Sequence, residues 1–269
     1  MTLPVALSIA GSDSGAGAGI QADLKTFAAF GVYGVTVITA ITAQNTVGVR
    51  AVQEVDAGVI AAQLDAVAED FDIGALKSGM LSSAAIIEAV AAGIERHRLR
   101  PLVVDPVMIA KSGDRLLRED AVDALRRRFL PLAAVVTPNI PEAEVLAGRS
   151  IQTRDDRVAA ARAIMELGAQ AVVIKGGHSQ DDPIIDLLVD REGVHEYRAT
   201  RIVTTSTHGT GCTFSAAITA GLAAGRALPD AVAEARAYLS RALASAPGLG
   251  HGHGPLGHFA SPQVAHARH

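Results

Sequence analysis

Short apolar runs alternate with amphipathic segments along the whole of this 269-residue sequence. Continuous Val- and Ile-rich runs are typical of strands buried on both faces, and apolar residues at helical spacing are typical of helices that cover such a sheet. The predicted strands span residues 5–9, 35–40, 73–76, 102–105, 134–137, 171–175, 184–189 and 196–202. The predicted helices span residues 17–30, 57–69, 83–98, 119–129, 141–146, 155–167, 213–224 and 229–244. This order predicts an α/β fold, a three-layer αβα sandwich with a mostly parallel central sheet, as one domain over residues 1–269.

Two features near the end of the chain depart from this alternation. The turn Asp190-Arg191-Glu192-Gly193 separates the last two predicted strands, which indicates an antiparallel hairpin at an edge of the sheet. Residues 248–259 are rich in glycine and histidine and have no periodicity. Such a tail is either a metal-binding tract or a loop that closes over another part of the protein. Its spacing matches no metal motif, so we predict a loop.

Composition narrows the class of protein. Hydrophobic residues make up 49% of the chain, but no run approaches the roughly 18 uncharged apolar residues of a transmembrane helix. The N-terminus lacks the basic and apolar regions of a signal peptide, and one cysteine excludes an internal disulfide framework. A net charge of −4 and 3% aromatic residues argue against a nucleic-acid partner. We therefore expect a cytoplasmic protein with neither membrane nor nucleic-acid partners.

Polar residues follow three of the predicted strands. Asp105 ends one strand, Asn139 and Glu142 come after the next, and Lys175 ends a third. Because ligands bind beyond the carboxyl ends of parallel strands, we expect these side chains to lie close together. Carboxylate and amide oxygens suit a hard cation such as Mg²⁺, and the ammonium group of Lys175 can neutralise phosphate oxygens. These are the groups that phosphoryl transfer requires.

The turn Gly209-Thr210-Gly211-Cys212 precedes a predicted helix. Unpaired amides and the helix dipole make such a turn an anion site, and the same field is expected to lower the pKa of the Cys212 thiol. Cys212 is then a candidate base or nucleophile beside a bound phosphate; the alternative is an ordinary buried cysteine in a tight turn. The sequence contains no Gly-Lys dipeptide, so this anion site is not a P-loop.

A glycine-rich segment follows the first predicted strand. Its spacing places Ile20 where a dinucleotide-binding loop has glycine, so we predict a small-molecule pocket instead of a NAD site. Asp13, Asp23 and Gln44 offer directional hydrogen bonds there. A glutamine amide can form a two-pronged hydrogen bond with the edge of a heterocycle.

Seven segments, in this order, resemble one family. They are Ala-Gly-Ser-Asp-Ser-Gly-Ala-Gly-Ala-Gly-Ile-Gln-Ala-Asp-Leu-Lys at 10–25, Thr-Ala-Gln-Asn-Thr at 42–46, Lys-Ser-Gly-Met-Leu at 77–81, Asp-Pro-Val-Met at 105–108, Thr-Pro-Asn-Ile-Pro-Glu-Ala at 137–143, Lys-Gly-Gly-His at 175–178 and His-Gly-Thr-Gly-Cys-Thr at 208–213. From about residue 4 to 259, the chain resembles the hydroxymethylpyrimidine/phosphomethylpyrimidine kinases of thiamine biosynthesis, which have the ribokinase-like fold.

The resemblance implies two successive transfers from ATP, with Mg²⁺. The first phosphorylates 4-amino-5-hydroxymethyl-2-methylpyrimidine, and the second converts the monophosphate to the diphosphate. It also implies a homodimer and a flap at Lys111-Ser112-Gly113. A pyridoxal or pyridoxine kinase on the same fold is the alternative, because both substrates are flat heterocycles with a hydroxymethyl arm. Some relatives that prefer pyridoxal carry a second cysteine in this flap, where this chain has Ala110.

The resemblance also assigns roles to individual residues. It implies that Cys212 acts as the base, at a position where most ribokinase-like enzymes have aspartate. The expected pyrimidine contacts are Gln44, Gly11, Asp23, Met80 and Val107. The expected phosphate and nucleotide contacts are Gly209, Thr210, Gly211, Lys175 and Asn139, and the expected Mg²⁺ ligands are Asp105, Asn139 and Glu142. A non-catalytic binding protein and a Cys/His hydrolase using Cys212 and His208 are the alternatives from other classes.

Overall fold

A computed structural model describes residues 3–108, 119–178 and 182–260. Within these ranges, nine strands form a single sheet. The strands are β1 (Val5–Asp13), β2 (Tyr33–Gln44), β3 (Val49–Glu54), β4 (Ile73–Ser78), β5 (Leu102–Val104), β6 (Ala133–Val136), β7 (Val172–Ile174), β8 (Ile184–Val189) and β9 (Val194–Ala199). The helices are α1 (Gly19–Ala29), α2 (Ala57–Asp70), α3 (Ala84–His97), α4 (Glu119–Ala124), α5 (Ile140–Ala147), α6 (Arg154–Glu166), α7 (Thr210–Ala223) and α8 (Leu228–Ala244).

The sheet is parallel in its centre and antiparallel at both edges. Its strand order is β3-β2-β1-β4-β5-β6-β7-β8-β9, and the six strands from β2 to β7 in that order pair in parallel. The edge strands β3, β8 and β9 pair antiparallel with their neighbours. Strand order changes direction between β1 and β4, which is the topological switch point where α/β sheets bind ligands.

Alternate residues of the central strands pack into separate cores, because successive side chains of a strand point to opposite faces. Val104 and Val136 belong to the core formed with α2 to α6, whereas Val103 and Val135 belong to the core formed with α7 and α8. Helix α1 packs on the same face as α7 through Phe27. The predicted three-layer αβα sandwich with a mostly parallel sheet is therefore confirmed.

The structure differs from the prediction in a few elements. Strand β3 was not predicted, because its sequence Val-Arg-Ala-Val-Gln-Glu has no continuous apolar run and lies exposed at the sheet edge. The last strand ends at Ala199 and not at residue 202. The predicted helix over residues 119–129 becomes a π-helix from Leu125 to Phe129. The proposed flap at Lys111-Ser112-Gly113 lies outside the described residues.

Two further expectations concern the end of the chain. The antiparallel hairpin formed by β8 and β9 is confirmed. The glycine- and histidine-rich tail is a loop, as predicted: the amide of His253 donates to the carbonyl oxygen of Thr46 at 2.8 Å, and that of His208 donates to the carbonyl oxygen of Gly254 at 3.1 Å. In the described ranges, no helix combines the length and apolar character needed to cross a lipid bilayer.

Candidate active site

The carboxyl ends of the central strands bring three of the predicted elements together. Asp105, just after β5, is 1% exposed, and its Oδ1 atom lies 2.9 Å from the Nζ atom of Lys175 after β7. Both groups lie beside α7, since a Cβ atom built on Gly211 would be 3.3 Å from Lys175 Nζ and 3.5 Å from Asp105 Oδ2. The carboxylate, the ammonium group and the glycine turn thus form one polar cluster, as the strand-end argument predicts.

The N-terminus of α7 is built by a close approach of two glycine turns. Gly209 caps the helix with a left-handed backbone, φ 81°, and a side chain there would overlap the carbonyl oxygen of Gly17. The helix begins at Thr210, three residues earlier than predicted, so Cys212 lies in its first turn. Amides of a first helical turn have no partner within the helix and are available to an anion.

The expected lowering of the Cys212 pKa is wrong for the ligand-free protein. Packing of the protein around the sulfur raises the pKa of the thiol to about 11, and the charges on Asp23 and Asp105 act in the same direction. The charge on Lys77 and a hydrogen bond from the Gly19 amide oppose this rise without cancelling it. Desolvation disfavours the thiolate more than the helix N-terminus favours it. Cys212 is therefore a thiol at neutral pH in this state.

This protonation state is directly testable, because Cys212 is the sole cysteine and is half-buried. With a thiol pKa of about 11, the rate constant for alkylation by iodoacetamide should rise about tenfold per pH unit from pH 7 to 10, since only the thiolate reacts. Glutathione, titrated in parallel, should level off near its own lower pKa. A plateau in the protein below pH 9 would contradict the raised pKa.

Asp23 does not have the exposed position expected of a pyrimidine contact. It is fully buried, and its oxygens lie 3.0 Å from the Nζ atom of Lys77 and 2.5 Å from the Ser8 hydroxyl. Burial acts to lower the pKa of Lys77, but the negative charge on Asp23, with a smaller effect of Asp105, outweighs it and raises that pKa. The pair is therefore a buried ion pair, and its cationic member affects Cys212 electrostatically.

Sequence reasoning missed Lys77 as a functional residue. It is one of four lysines in the chain and directly follows the predicted strand 73–76. The same strand-end argument that selected Lys175 could have selected it. Its partner Asp23 is in α1, far away in sequence, so the pairing itself was not predictable.

Asn139 and Glu142 form a capping box at the start of α5. The Asn139 side-chain oxygen accepts a hydrogen bond from the backbone amide of Glu142 at 2.9 Å. The Glu142 carboxylate accepts one from the backbone amide of Asn139 at 2.8 Å. Asn139 therefore caps α5 through its side-chain oxygen, and its role as a Mg²⁺ ligand stays a prediction. The pattern Asn-x-x-Glu is itself a sequence signature of such a cap.

Two carboxylates share the charge of Lys175. Glu142 Oε2 lies 4.0 Å from Lys175 Nζ, and Asp105 Oδ1 lies 2.9 Å from the same nitrogen atom. Burial raises the pKa of Glu142 to about 7, and Asp105 adds to the rise while Lys175 opposes it. Within the described ranges, no group of three or more His, Cys, Asp or Glu residues is arranged to hold a metal ion. The oxygens of Asp105 and Glu142 suit a hydrated Mg²⁺ ion held through water and phosphate instead of a closed protein cage.

The other side of the site is formed by the glycine-rich loop and the end of β2. Asp13 accepts hydrogen bonds from the amides of Gly15, Gly17 and Ala18 at 2.8 to 3.0 Å, which fixes the loop. Its Oδ2 atom also lies 2.8 Å from His208 Nε2.

The remaining residues predicted to contact the pyrimidine lie at the carboxyl ends of four neighbouring strands. The Gln44 amide nitrogen is 3.3 Å from His208 Nε2, which links the end of β2 to the residue before Gly209. A Cβ atom on Gly11 would lie 3.3 Å from Met80 Sδ, so these two residues are neighbours. The amide of Val107 donates to the carbonyl oxygen of Asp105 at 2.8 Å. Gln44 and Gly11 thus lie near the carboxyl ends of β2 and β1, and Met80 and Val107 follow β4 and β5.

Known proteins share both this sequence and this fold. The profile of the family described as phosphomethylpyrimidine kinase matches residues 13–257. A hydroxymethylpyrimidine/phosphomethylpyrimidine kinase from Rhizobium meliloti is 55% identical over 258 residues, which cover 95% of this chain and 97% of that protein.

Two solved structures are similar over most of the fold. An ADP complex of Bacillus subtilis pyridoxal kinase has a TM-score of 0.89 at 41% identity, with 96% of this chain and 98% of that chain covered. A phosphomethylpyrimidine kinase from Clostridium difficile 630 has a TM-score of 0.81 at 44% identity, with 89% of this chain and 99% of that chain covered.

Proposed function

This chain belongs to the phosphomethylpyrimidine kinase family and is an ATP-dependent kinase, and on that premise we propose that it catalyses two successive transfers in thiamine biosynthesis. The first places a phosphoryl group on the hydroxymethyl oxygen of 4-amino-5-hydroxymethyl-2-methylpyrimidine, and the second extends the monophosphate to the diphosphate. One observation carries the assignment of roles: Lys175 and Asp105 lie beside the Gly209–Cys212 turn, and His208 before that turn lies 3.3 Å from Gln44 at the end of β2.

The anion turn and Lys175 act on the migrating phosphoryl group. Amides in the first turn of α7, around Gly209, Thr210 and Gly211, stabilise the charge on its oxygens, and the ammonium group of Lys175 adds a second donor. Asp105 holds that ammonium in place at 2.9 Å. These contacts favour the transition state of both transfers.

Cys212 accepts the proton of the hydroxymethyl group in the first transfer. The substrate oxygen forms its bond to the γ-phosphorus, ADP leaves, and the proton passes to the sulfur. In the free protein the thiol is protonated at neutral pH, so the thiolate is the minor form that reacts. The positive charge of Lys77 beneath the sulfur lowers the free energy of that form. The second transfer needs no base, because its acceptor is a phosphate that is largely ionised near neutral pH.

Mg²⁺ completes the site in this proposal. Glu142 and Asp105 would hold the ion through its water molecules, and the capping box with Asn139 positions the Glu142 carboxylate. When bound, the ion neutralises negative charge on the phosphates.

Replacing Glu142 with glutamine is expected to raise the Mg²⁺ concentration needed for half-maximal rate and to lower kcat. The substitution removes the charge and keeps the shape, so the cap on α5 should survive. The measurement is a Mg²⁺ titration at saturating ATP and pyrimidine, with Glu144→Gln on the same helix as the matched control. An unchanged titration would remove Glu142 from the neighbourhood of the ion.

Replacing Gln44 with alanine is expected to raise KM for the pyrimidine by about tenfold or more, since an unpaired polar ring edge costs about 1–3 kcal/mol. KM for ATP should not change, because Gln44 contacts His208 whereas Lys175 lies beside Gly211. Initial rates with each substrate varied in turn provide the measurement. An equal rise in KM for the pyrimidine and in KM for ATP would indicate that Gln44 stabilises the fold and does not contact the pyrimidine ring.

A pyridoxal kinase is the second candidate, favoured by the similarity to the Bacillus subtilis pyridoxal kinase at 41% identity. An assay of ATP consumption distinguishes the pyrimidine kinase from the pyridoxal kinase activity. The purified protein is given the pyrimidine alcohol, its monophosphate or pyridoxal as the acceptor. The pyrimidine assignment predicts turnover of both pyrimidine acceptors, with a kcat/KM for the alcohol above that for pyridoxal. The opposite ranking, without turnover of the monophosphate, would support the pyridoxal assignment.

We also propose that two copies of the chain associate. The β2–β3 edge exposes three large apolar side chains, Ile41, Val47 and Val52, at 55%, 65% and 45%. Exposed apolar side chains grouped at a sheet edge favour association. Light scattering coupled to size exclusion measures the mass in solution.

A further inference from the structure

One nitrogen atom faces two polar groups at the edge of the proposed pyrimidine pocket. His208 Nε2 lies 2.8 Å from Asp13 Oδ2 and 3.3 Å from the amide nitrogen of Gln44. His208 and Asp13 are both buried, at 7% and 3% exposure. A ring nitrogen carries either one hydrogen or one lone pair, so it cannot accept from Gln44 while it donates to Asp13.

The charge of Asp13 determines whether His208 Nε2 carries a hydrogen or a lone pair. Burial acts to raise the pKa of Asp13, but the hydrogen bonds and charge of His208, with the amides of Ala18 and Gly15, lower it below its usual value. The side chain is therefore an ionised acceptor. A lone pair on Nε2 would be repelled by it at 2.8 Å, so Nε2 carries a hydrogen, in the neutral ring as well as in the imidazolium.

The opposite end of the Gln44 amide leads to the same conclusion. The Thr42 hydroxyl lies 3.0 Å from the Ser12 carbonyl oxygen and 3.2 Å from the other terminal atom of the Gln44 amide. A hydroxyl has one hydrogen, and the Ser12 carbonyl oxygen lies nearer to the Thr42 hydroxyl than the Gln44 atom does. If the Gln44 oxygen faced Thr42, two acceptors would compete for that hydrogen while the NH₂ group faced the N–H of His208.

Both conflicts disappear when the amide is turned by 180°. The Gln44 oxygen then accepts from His208 Nε2–H, and its NH₂ group donates to Thr42, which donates to Ser12. The single Nε2–H hydrogen of His208 then lies between two acceptors, the Asp13 carboxylate at 2.8 Å and the Gln44 oxygen at 3.3 Å, and no donor faces another donor. The amide retains one acceptor site on the His208 side and one hydrogen on the Thr42 side for a ligand.

We infer that His208, held by Asp13, is a specificity-determining positioning residue that fixes the direction of the Gln44 amide. This inference depends on the proposed contact between Gln44 and the ring. A ligand must then present a donor on the His208 side and an adjacent acceptor on the Thr42 side. A 4-aminopyrimidine does so with its amino group and N3.

The fixed direction of the amide also orients the reacting group. The 4-amino group and the hydroxymethyl arm are on adjacent ring carbons, so an amino group on the His208 side places the arm near the same side. His208 is followed directly by Gly209 and the turn that contains Cys212. The reversed amide would place the arm away from that turn. A pyridoxal ring has no adjacent amino and ring-nitrogen pair to use this contact.

The tautomer of His208 gives a test that does not depend on activity. In protein labelled with ¹⁵N-histidine, the resonance that is lost in His208→Phe identifies the ring. We expect its Nε2 to show a directly bonded hydrogen throughout the pH range in which the protein is folded. An unprotonated Nε2 at neutral pH would overturn the inference.

A double-mutant cycle tests the action through Gln44. His208→Phe and Thr42→Val should each raise KM for the pyrimidine alcohol by about tenfold, as expected for loss of a buried hydrogen bond, and leave KM for ATP unchanged. In the Gln44→Ala background neither should have a further effect. Thr36→Val, at a half-buried position of the same strand, is the matched control.

The outcomes separate the inference from its premise. If Gln44→Ala leaves KM for the pyrimidine unchanged, the proposed ring contact fails, and the inference fails with it. If Gln44→Ala raises that KM but Thr42→Val has no effect, or adds its full effect to Gln44→Ala, the inference alone fails. Thr42→Val and the resonance of the unmodified protein decide the matter even if His208→Phe does not fold.

Discussion

Replacing Cys212 with alanine is expected to slow phosphorylation of the pyrimidine alcohol by about two to four orders of magnitude, the usual effect of losing a general base. ATP binding should change little, because the amides of the α7 turn belong to the backbone and Lys175 is untouched. Single-turnover rates and ATP affinity of the variant provide the measurement. Near-normal turnover would refute the role of Cys212 as the proton acceptor.

A comparison of the two transfers shows whether the sulfur accepts a proton or only shapes the anion site. Cys212→Ser should impair transfer to the alcohol more than transfer to the monophosphate, whose oxygens are already ionised. Lys175→Ala should impair both alike, since both transition states place charge on the migrating phosphoryl group. Equal losses on both substrates for Cys212→Ser would mean that the cysteine shapes the turn.

The fold could be predicted because its central strands are buried on both faces. Continuous apolar runs such as 102–104 and 172–174 allow no other placement between helices, and the polar residues after them mark the ends of the strands. Strand β3 could not be predicted in this way, because its residues are exposed and carry no pattern. Its existence depends on pairing with β2, which is a tertiary property.

The active site shows the same limit. Asp105 and Lys175 were expected to lie close together because parallel strands end at one edge of the sheet. In the structure their side chains are 2.9 Å apart. The pKa of Cys212 does not follow from sequence, because the helix N-terminus is visible there but the desolvation that outweighs it is not. Likewise, the sequence shows that Asp23 is polar but not that Lys77 and Ser8 occupy both its oxygens.

The Asn139–Glu142 pair was selected in the sequence as part of a Mg²⁺ site, and its hydrogen bonds as a helix cap were not predicted. Its three-residue spacing fits both a phosphate-site motif and a helix cap. The hydrogen bonds show that the cap is made, and that it holds Glu142 rigidly beside Lys175. The Asn-x-x-Glu pattern thus caps helix α5 and also positions the Glu142 carboxylate beside Lys175.

Replacing Lys77 with methionine is expected to lower the free energy of unfolding by about 3–5 kcal/mol, the usual cost of removing one partner of a fully buried ion pair. Both side chains of the Lys77–Asp23 pair are 0% exposed, so the remaining carboxylate keeps only the Ser8 hydroxyl as a partner. Urea unfolding followed by circular dichroism measures the change, since the chain has no tryptophan.

The matched control is Arg96→Met, which removes one of two partners of Asp65 in a 2.6 Å ion pair with side chains 53% and 33% exposed; His97 remains at 2.7 Å. It should cost much less, because water replaces the lost partner. A double variant, Lys77→Met with Asp23→Leu, should recover most of the stability because it removes the buried charge altogether. If Lys77→Met is as mild as Arg96→Met, the buried pair is not a determinant of stability.

The double variant then separates stability from chemistry. If it folds like the unmodified protein, it still lacks the positive charge that favours the Cys212 thiolate, although Asp23, which opposes that thiolate, is also gone. Lys77 has the larger effect of the two on the thiol, so the alkylation rate of Cys212 at pH 8 should fall below that of the unmodified protein. An unchanged alkylation rate together with restored stability would show that the ion pair stabilises the fold and does not affect Cys212. A slower alkylation rate in an equally stable protein would show that the buried lysine lowers the pKa of the Cys212 thiol.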